Sequence, residues 1–121
     1  MRHLIYSLVL ATFGSPVLAE MTLVMAEEQG CVWCERWNAD IGPIYPKSAE
    51  GQAAPLRRID VNDPMPSDLS FTSTPRFTPT FVLMDDGTEI GRIEGYPGED
   101  FFWGLLGVLL EQADTTPKTN E

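Results

Sequence analysis

Histidine and cysteine are scarce in this 121-residue chain, which has one histidine and two cysteines. A serine hydrolase usually needs a histidine to activate its nucleophile, and His3 lies in a segment that we expect to be removed. A zinc site needs two further cysteine or histidine ligands beside a cysteine pair, and copper delivery needs a third ligand. These shortages exclude a histidine-dependent hydrolase and argue against a metal site, so no cofactor is expected.

Basic residues are also few, since the chain has 8 of them against 18 acidic residues and a net charge of −10. Nucleic acids are recognised through basic patches, and anionic lipid headgroups attract basic rather than acidic segments. The composition therefore argues against a nucleic-acid partner and against binding to an anionic lipid surface.

The N-terminal hydrophobic run, Leu4–Phe13, is shorter than the roughly 20 residues that span a bilayer. It follows a basic residue and precedes the small-residue pattern Val17–Ala19, which is the layout of a cleavable secretory signal. We predict a signal peptide over residues 1–19, one domain over 20–112 and a disordered tail over 113–121. Cleavage would leave no stable membrane anchor; an uncleaved anchor and a buried helix are the alternatives.

The chain does contain a pair of cysteines, Cys31 and Cys34, with two residues between them. This spacing is typical of a redox pair at the start of a helix; an inert bridge and half of a metal site are the alternatives. A helix beginning near Val32 would place Trp37 and Ile41 on the same face as Cys34, where they would bury it. In an oxidising compartment such a pair stays closed unless a partner supplies electrons.

Periodicity and turn residues predict the other elements. Gly42 and Pro43 should end the first helix, and a second helical segment should run from Pro43 or Pro46 to about Glu50. Residues 62–78, rich in proline, serine, threonine and aspartate, are predicted to form a connection. The predicted strands are Met21–Ala26, Pro55–Val61 parallel to it, and the hairpin strands Thr80–Met84 and Thr88–Glu94.

The last helix should begin at Glu99–Asp100, where acidic side chains favour the positive end of the helix dipole. Apolar residues nearly surround this helix, which predicts either deep burial or an exposed partner-docking face at Phe101 or Trp103. Gly104 and Gly107 are expected to let the helix pack close to the sheet. The residues expected to face the core are Phe102, Leu105, Leu106 and Leu109.

The order strand, helix, strand, connection, hairpin, helix, with the cysteine pair at the first helix, resembles the thioredoxin-like fold over residues 21–112. A second motif, Arg76–Thr80, is similar to the thioredoxin segment whose proline is cis and faces the disulfide. The resemblance implies an α/β fold with a mixed four-stranded sheet, βαβ then ββα, and flanking helices. It also implies a cis bond before Pro79 and a substrate groove lined by Gly95.

Two longer segments, 37–46 and 91–102, are similar to the periplasmic thioredoxins encoded with bacterial sulfur-oxidation (Sox) systems, the SoxS type. This resemblance implies a periplasmic thiol-disulfide reductase that acts on a disulfide or blocked thiol of the Sox sulfur-carrier protein. It further implies that a membrane thiol transporter donates the electrons.

The helix start predicts different roles for the two cysteines. Unpaired amides and the helix dipole favour a thiolate at Cys31, the predicted nucleophile, whereas Cys34, one turn deeper, is the predicted resolving thiol. The chain differs from thioredoxins at Met25, where they carry a buried aspartate. The remaining candidates for the proton acceptor of Cys34 are water and the carboxylates Glu27, Glu28 and Glu35.

Further substrate contacts are predicted around the pair. Trp33 is expected to be exposed for contact and the Thr78 backbone to pair with an extended substrate segment, while Arg76 is either a groove residue or a solvated charge. Three other functions stay open: an oxidase, a non-catalytic binding module with a structural disulfide, and a glutaredoxin-like reductase of glutathionylated or persulfidated thiols. The last is suggested by a weak likeness at Gly98–Asp100.

Overall fold

The computed structural model describes residues 20–115, so the predicted signal peptide and the last six residues lie outside the described part. Within it, no helix is long and apolar enough to cross a lipid bilayer. The elements are β1 (Met21–Glu27), α1 (Val32–Asp40), a 3-10 turn (Tyr45–Lys47), α2 (Ala49–Ala53), β2 (Leu56–Asp60), β3 (Thr80–Asp85), β4 (Thr88–Glu94) and α3 (Glu99–Thr115).

The four strands form one mixed sheet in the order β2-β1-β3-β4. β1 and β2 are parallel, with Met25 opposite Arg58, as expected when a helical segment joins neighbouring strands. β3 runs antiparallel to β1 and forms a hairpin with β4. Asp86 and Gly87 in its turn both have positive φ, which tight hairpin turns favour. The predicted mixed four-stranded sheet with flanking helices is confirmed.

Aromatic side chains form the centre of the core, where α1 and α3 cover one face of the sheet. Strand alternation directs Leu23 and Met25 to this face, and Trp37 of α1 is fully buried among them. The Trp37 ring centroid lies 5.2 Å from that of Phe81 and 5.7 Å from that of Phe102, distances at which aromatic rings attract one another. These contacts fix α1, and with it the cysteine pair, to β3 and α3.

The opposite face of the sheet is covered by the long connection between β2 and β3, residues 61–79. Leu69 and Phe71 from this connection pack against a second buried cluster. Because both faces of β3 are covered, its residues are buried over most of its length, which accounts for its unbroken apolar run. The second cluster consists of Val24, Val82 and Met84.

The second helical segment differs from the prediction. Instead of one helix from Pro43 or Pro46 to about Glu50, the chain forms the 3-10 turn and then α2. The Ser48 hydroxyl accepts a hydrogen bond from the Gly51 amide at 2.9 Å. This N-cap starts a new helix at Ala49, which is why the two pieces are separate.

The buried stripe of α3 is narrower and longer than predicted. Leu105, expected in the core, is 45% exposed, because it lies beside the stripe rather than on it. The helix also continues to Thr115, past the predicted domain end at residue 112. The stripe consists of Phe102, Leu106, Leu109 and Ala113, at helical spacing.

The remaining large apolar side chains of α3 divide between the core and the surface. Trp103 is half-buried and stacks on Tyr45, with ring centroids 6.0 Å apart. Phe101 is exposed, as are Leu105 and Val108 further along the helix. Of the two residues named from the sequence, Phe101 is therefore the exposed one.

The expected role of the two α3 glycines is wrong. A methyl group added at Gly104 or Gly107 would meet no atom within 4 Å, so neither residue brings the helix close to the sheet. The close approach is at Gly91 of β4, where an added methyl would lie 2.6 Å from the Leu109 side chain.

Replacing Gly104 with alanine should raise the free energy of unfolding by about 1 kcal/mol, because glycine disfavours a helix interior by that amount and the methyl has open space. The matched control is Gly91→Ala, which should destabilise because the buried Leu109 would have to shift. Denaturant titration measures both free energies. A Gly104→Ala protein less stable than wild type would contradict the open position.

Candidate active site

The two cysteines form a disulfide at the N-terminus of α1. Cys31 is the N-cap residue, and its sulfur accepts a hydrogen bond from the Cys34 amide at 3.1 Å. Gly30 precedes it with φ +80°, a backbone conformation that favours glycine and turns the chain into the helix. The Cys31 sulfur therefore lies where the helix amides and dipole favour a negative charge.

Cys34 is buried on the inner side of α1 and is less exposed than Cys31. It belongs to the same buried cluster as Met25, Trp37 and Ile41, in agreement with the helical spacing. Met25 is fully buried and has no proton-accepting group. A proton released by Cys34 must therefore go to an acceptor outside this cluster.

An arginine ties α1 to the sheet beside this cluster. The Arg58 guanidinium donates hydrogen bonds to Glu27 at 2.6 Å and to Asn38 at 2.8 Å. It also lies 3.6 Å from the Met25 sulfur and 5.9 Å from the centre of the Trp37 ring. These contacts join β1, β2 and α1, and they show that the Glu27 carboxylate is already engaged.

The Thr78–Pro79 peptide bond is cis, and it lies at the end of the sheet where α1 begins. β3 starts at Thr80, which is paired with Ala26 near the end of β1. Antiparallel pairing thus brings the segment before β3 close to the loop before the cysteines. The Gly95 amide donates to the Pro79 carbonyl at 2.7 Å, and its φ of +86° suits glycine.

Exposed apolar side chains occur on both segments. Val32 and Trp33, between the cysteines, are each more than half exposed, and so is Phe77, two residues before the cis proline. The Arg36 guanidinium lies 4.9 Å from the centre of the Trp33 ring, within cation–π range. Contiguous exposed apolar side chains are typical of a protein-binding surface, and Val32 and Trp33 are adjacent in the chain. Sequence reasoning did not single out Phe77, although an aromatic residue within a polar connection was a usable signal.

Arg76 is exposed on the same connection, at an open cavity of about 300 Å³. A larger cavity, of about 480 Å³, lies at the opposite end of the sheet, near Glu20 and Gly87, and is remote from the disulfide. The smaller cavity is lined by Ser73, Thr74, Arg76, Phe77, Arg92 and Glu94.

No protein-family model matches the sequence, and no curated protein matches it. Among solved structures, the periplasmic thioredoxin SoxS from Paracoccus pantotrophus, in its reduced form, is 52% identical with a TM-score of 0.76. The match covers 78% of this chain and 99% of that one. The chain belongs to the SoxS-type thioredoxins.

Two more distant thioredoxins share the fold. The protein from Malassezia sympodialis is 20% identical over 74% of each chain, with a TM-score of 0.54. The protein from Fasciola hepatica is 18% identical over 74% of this chain and 80% of that one, with a TM-score of 0.52. At this identity the likeness supports the thioredoxin-like fold alone.

The likeness to the SoxS thioredoxin and the Cys31–Cys34 disulfide together identify a thiol-disulfide oxidoreductase. This finding sets aside the non-catalytic binding module. Among residues 20–115, no group of three or more histidine, cysteine, aspartate or glutamate side chains is placed to hold a metal ion.

A largely buried ion pair holds the connection that leads to the cis proline of this thioredoxin. Arg92 donates to the two Glu89 oxygens at 2.7 and 3.0 Å and to the Ser73 carbonyl. Glu89, whose side chain is 7% exposed, also accepts from the Thr72 amide at 3.1 Å. The pair thus fixes the backbone a few residues ahead of Thr78. Sequence reasoning missed both charged residues.

Acid should weaken the fold through Glu89. Burial alone would raise the pKa of Glu89, but hydrogen bonds from Arg92 and the Thr72 amide outweigh it and hold the pKa below the ordinary 4.5. A carboxyl whose pKa is lower in the folded state stabilises the fold at pH values above its unfolded-state pKa. This stabilisation is lost as the pH falls through the folded-state pKa. Between about pH 5 and pH 3, the unfolding free energy should therefore fall more steeply in wild type than in Glu89→Gln.

The control for this pH dependence is Asp68→Asn. Asp68 pairs with Arg57 at 2.6 Å, but both side chains are well exposed, and exposed ion pairs contribute little to stability. The pH profile of Asp68→Asn should therefore stay close to that of wild type. Identical profiles for wild type and Glu89→Gln, measured by denaturant titration, would contradict the role given to Glu89.

Proposed function

We propose that this SoxS-type thioredoxin reduces disulfides or blocked cysteine thiols of a partner protein in the periplasm. The proposed partner is the sulfur-carrier protein of a thiosulfate-oxidising (Sox) system. The observation that carries the proposal is the Cys31–Cys34 disulfide at the start of α1, beside the exposed Trp33. The compartment and the partner are supported by 52% identity with a protein named periplasmic thioredoxin SoxS.

The sequence of residues 1–19 supports export, because it has the layout of a cleavable signal peptide. Each turnover closes the cysteine pair, because its two electrons pass to the substrate, and an oxidising compartment does not reopen it. A membrane thiol donor must therefore return two electrons to Cys31 and Cys34 before the next substrate is reduced.

Reduction begins when the Cys31 thiolate attacks one sulfur of the substrate disulfide. A bond forms between that sulfur and Cys31 as the substrate disulfide bond breaks, and the leaving thiolate takes a proton from water. The Cys34 amide, 3.1 Å from the Cys31 sulfur, and the N-terminus of α1 favour the thiolate form of Cys31.

Cys34 then resolves the mixed disulfide. It loses its proton and attacks the Cys31 sulfur, which closes the Cys31–Cys34 bond and releases the second substrate thiol. Two electrons have passed from the cysteine pair to the substrate. We assign the Cys34 proton to water, because Met25 is apolar and the candidate carboxylates are engaged or directed to solvent. Arg58 holds Glu27 at 2.6 Å, Glu28 accepts hydrogen bonds from Thr78 and Asn62, and Glu35 is exposed.

The substrate binds as an extended segment along the loop that ends in the cis proline. Pro79 has no amide proton, so the Thr78 backbone is the group that pairs with the incoming segment, as in strand addition. Gly95 lines the other side through its bond to the Pro79 carbonyl, 2.7 Å long. Trp33 supplies apolar contact, and Arg76 contacts acidic groups of the partner.

Replacing Cys34 with serine should trap the substrate on Cys31, because the mixed disulfide can form but not be resolved. We expect a covalent complex with the sulfur-carrier protein that is seen on non-reducing gels and released by dithiothreitol. The matched control, Cys31→Ser, keeps one thiol but should trap far less, because Cys34 is the less exposed of the two cysteines and lies inside the helix rather than at its N-cap.

The outcome also decides between substrates. Equal trapping by the two variants would contradict Cys31 as the nucleophile. Trapping of glutathione but not of the carrier protein would favour the glutaredoxin-like reductase, and turnover with each mixed disulfide would measure that preference. A pair that remains oxidised with an excess of reduced carrier would support reduction rather than oxidation as its direction.

A further inference from the structure

Glu28 lies in the short loop that joins β1 to the cysteine pair. β1 ends at Glu27 and α1 begins at Val32, so this loop sets the position of Cys31 relative to the sheet. Glu28 is half-buried, whereas the two residues after it, Gln29 and Gly30, are exposed. Its side chain therefore turns back toward the protein.

The Glu28 carboxylate joins three separate segments. One oxygen accepts a hydrogen bond from the Thr78 hydroxyl at 3.0 Å, and the other accepts from the Asn62 side-chain amide at 3.3 Å. Thr78 immediately precedes the cis proline, and Asn62 follows β2. Hydrogen bonds to an ionised carboxylate are stronger than those between neutral groups, so this carboxylate can hold all three segments together.

The Thr78 segment is tied on its other side to the hairpin. The Pro79 carbonyl accepts from the Gly95 amide at 2.7 Å, and the Thr80 hydroxyl donates to the Phe77 carbonyl at 2.6 Å. These bonds orient the loop but do not reach the cysteine loop. Within residues 20–115, the bond from Thr78 to Glu28 is the hydrogen bond that joins the loop of the cis proline to the loop of the cysteines.

We propose that Glu28 is a positioning residue that fixes the distance between the Thr78 backbone and Cys31. A substrate segment that pairs with Thr78 must place its disulfide on the Cys31 sulfur, so both groups must be held in one geometry before it binds. Such preorganisation lowers the ordering cost of binding. This inference rests on the proposed binding of substrate by Thr78.

The effect should be on substrate binding rather than on sulfur chemistry. Glu28→Ala removes the acceptor, and Thr78→Val removes the donor while keeping the shape of the side chain. With insulin as the protein disulfide and dithiothreitol as the electron source, each change should raise KM by about tenfold and leave kcat within about twofold. Direct reduction of the Cys31–Cys34 disulfide by dithiothreitol should keep its rate, because a small thiol needs no extended binding edge.

Three further variants make the test specific. Glu28→Gln keeps an oxygen for the Thr78 hydroxyl but loses the charge that strengthens the bond, so its KM should lie between those of wild type and Glu28→Ala. The double variant Glu28→Ala/Thr78→Val should be no worse than either single variant, because both remove the same bond. Gln29→Ala changes the exposed neighbouring residue and should leave KM unaltered.

Deuterium exchange of the segment 72–78 separates this inference from the proposed function. Faster exchange in Glu28→Ala with an unchanged KM would overturn the inference by showing that the bond exists but that Thr78 does not bind substrate. Unchanged exchange would overturn it by showing that Glu28 does not hold the loop, whatever Cys34→Ser traps. A Glu28→Gln protein as impaired as Glu28→Ala, or additive effects in the double variant, would overturn it as well.

Discussion

Antiparallel pairing between β1 and β3 is the constraint on which the active site depends. It places the end of β1 beside the start of β3, with Ala26 opposite Thr80. The loop before the cysteines and the loop before the cis proline therefore lie at the same end of the sheet. Burial of Trp37 against Phe81 then fixes the helix that begins at this end of the sheet. The sulfur atoms owe their position to the packing of the core as much as to their own loop.

Side-chain charges organise the long connection that ends at the cis proline. Residues 61–79 contain no helix or strand, so their backbone groups need partners other than a regular ladder. Glu89 and Arg92 hold its middle, and Glu28 holds its end. An acidic chain thus uses the Glu28 and Glu89 carboxylates to hold backbone that has no regular ladder.

Local patterns predict those elements whose signals lie within a few residues of one another. The hairpin follows from the Asp86-Gly87 turn, and the start of α1 follows from the cysteine spacing. The cis bond before Pro79 was implied by the family resemblance rather than by periodicity. The Glu28–Thr78 bond could not be predicted, because it joins residues 50 positions apart and depends on the pairing of two strands. Leu105 was wrongly assigned to the core because apolar residues surround α3. The sequence alone therefore does not determine which face of this helix packs on the sheet.

The packing of Leu69 and Phe71 behind the sheet makes the connection that carries the cis proline a layer of the molecule rather than a mobile flap. Insertions or deletions within it would admit water to the rear of the sheet. Evolution toward a new partner is therefore easier by exchange of outward-facing side chains, such as Phe77, than by a change in the length of this segment. To transfer a preference for one partner between related enzymes, surface side chains should accordingly be exchanged while the length of this connection is kept.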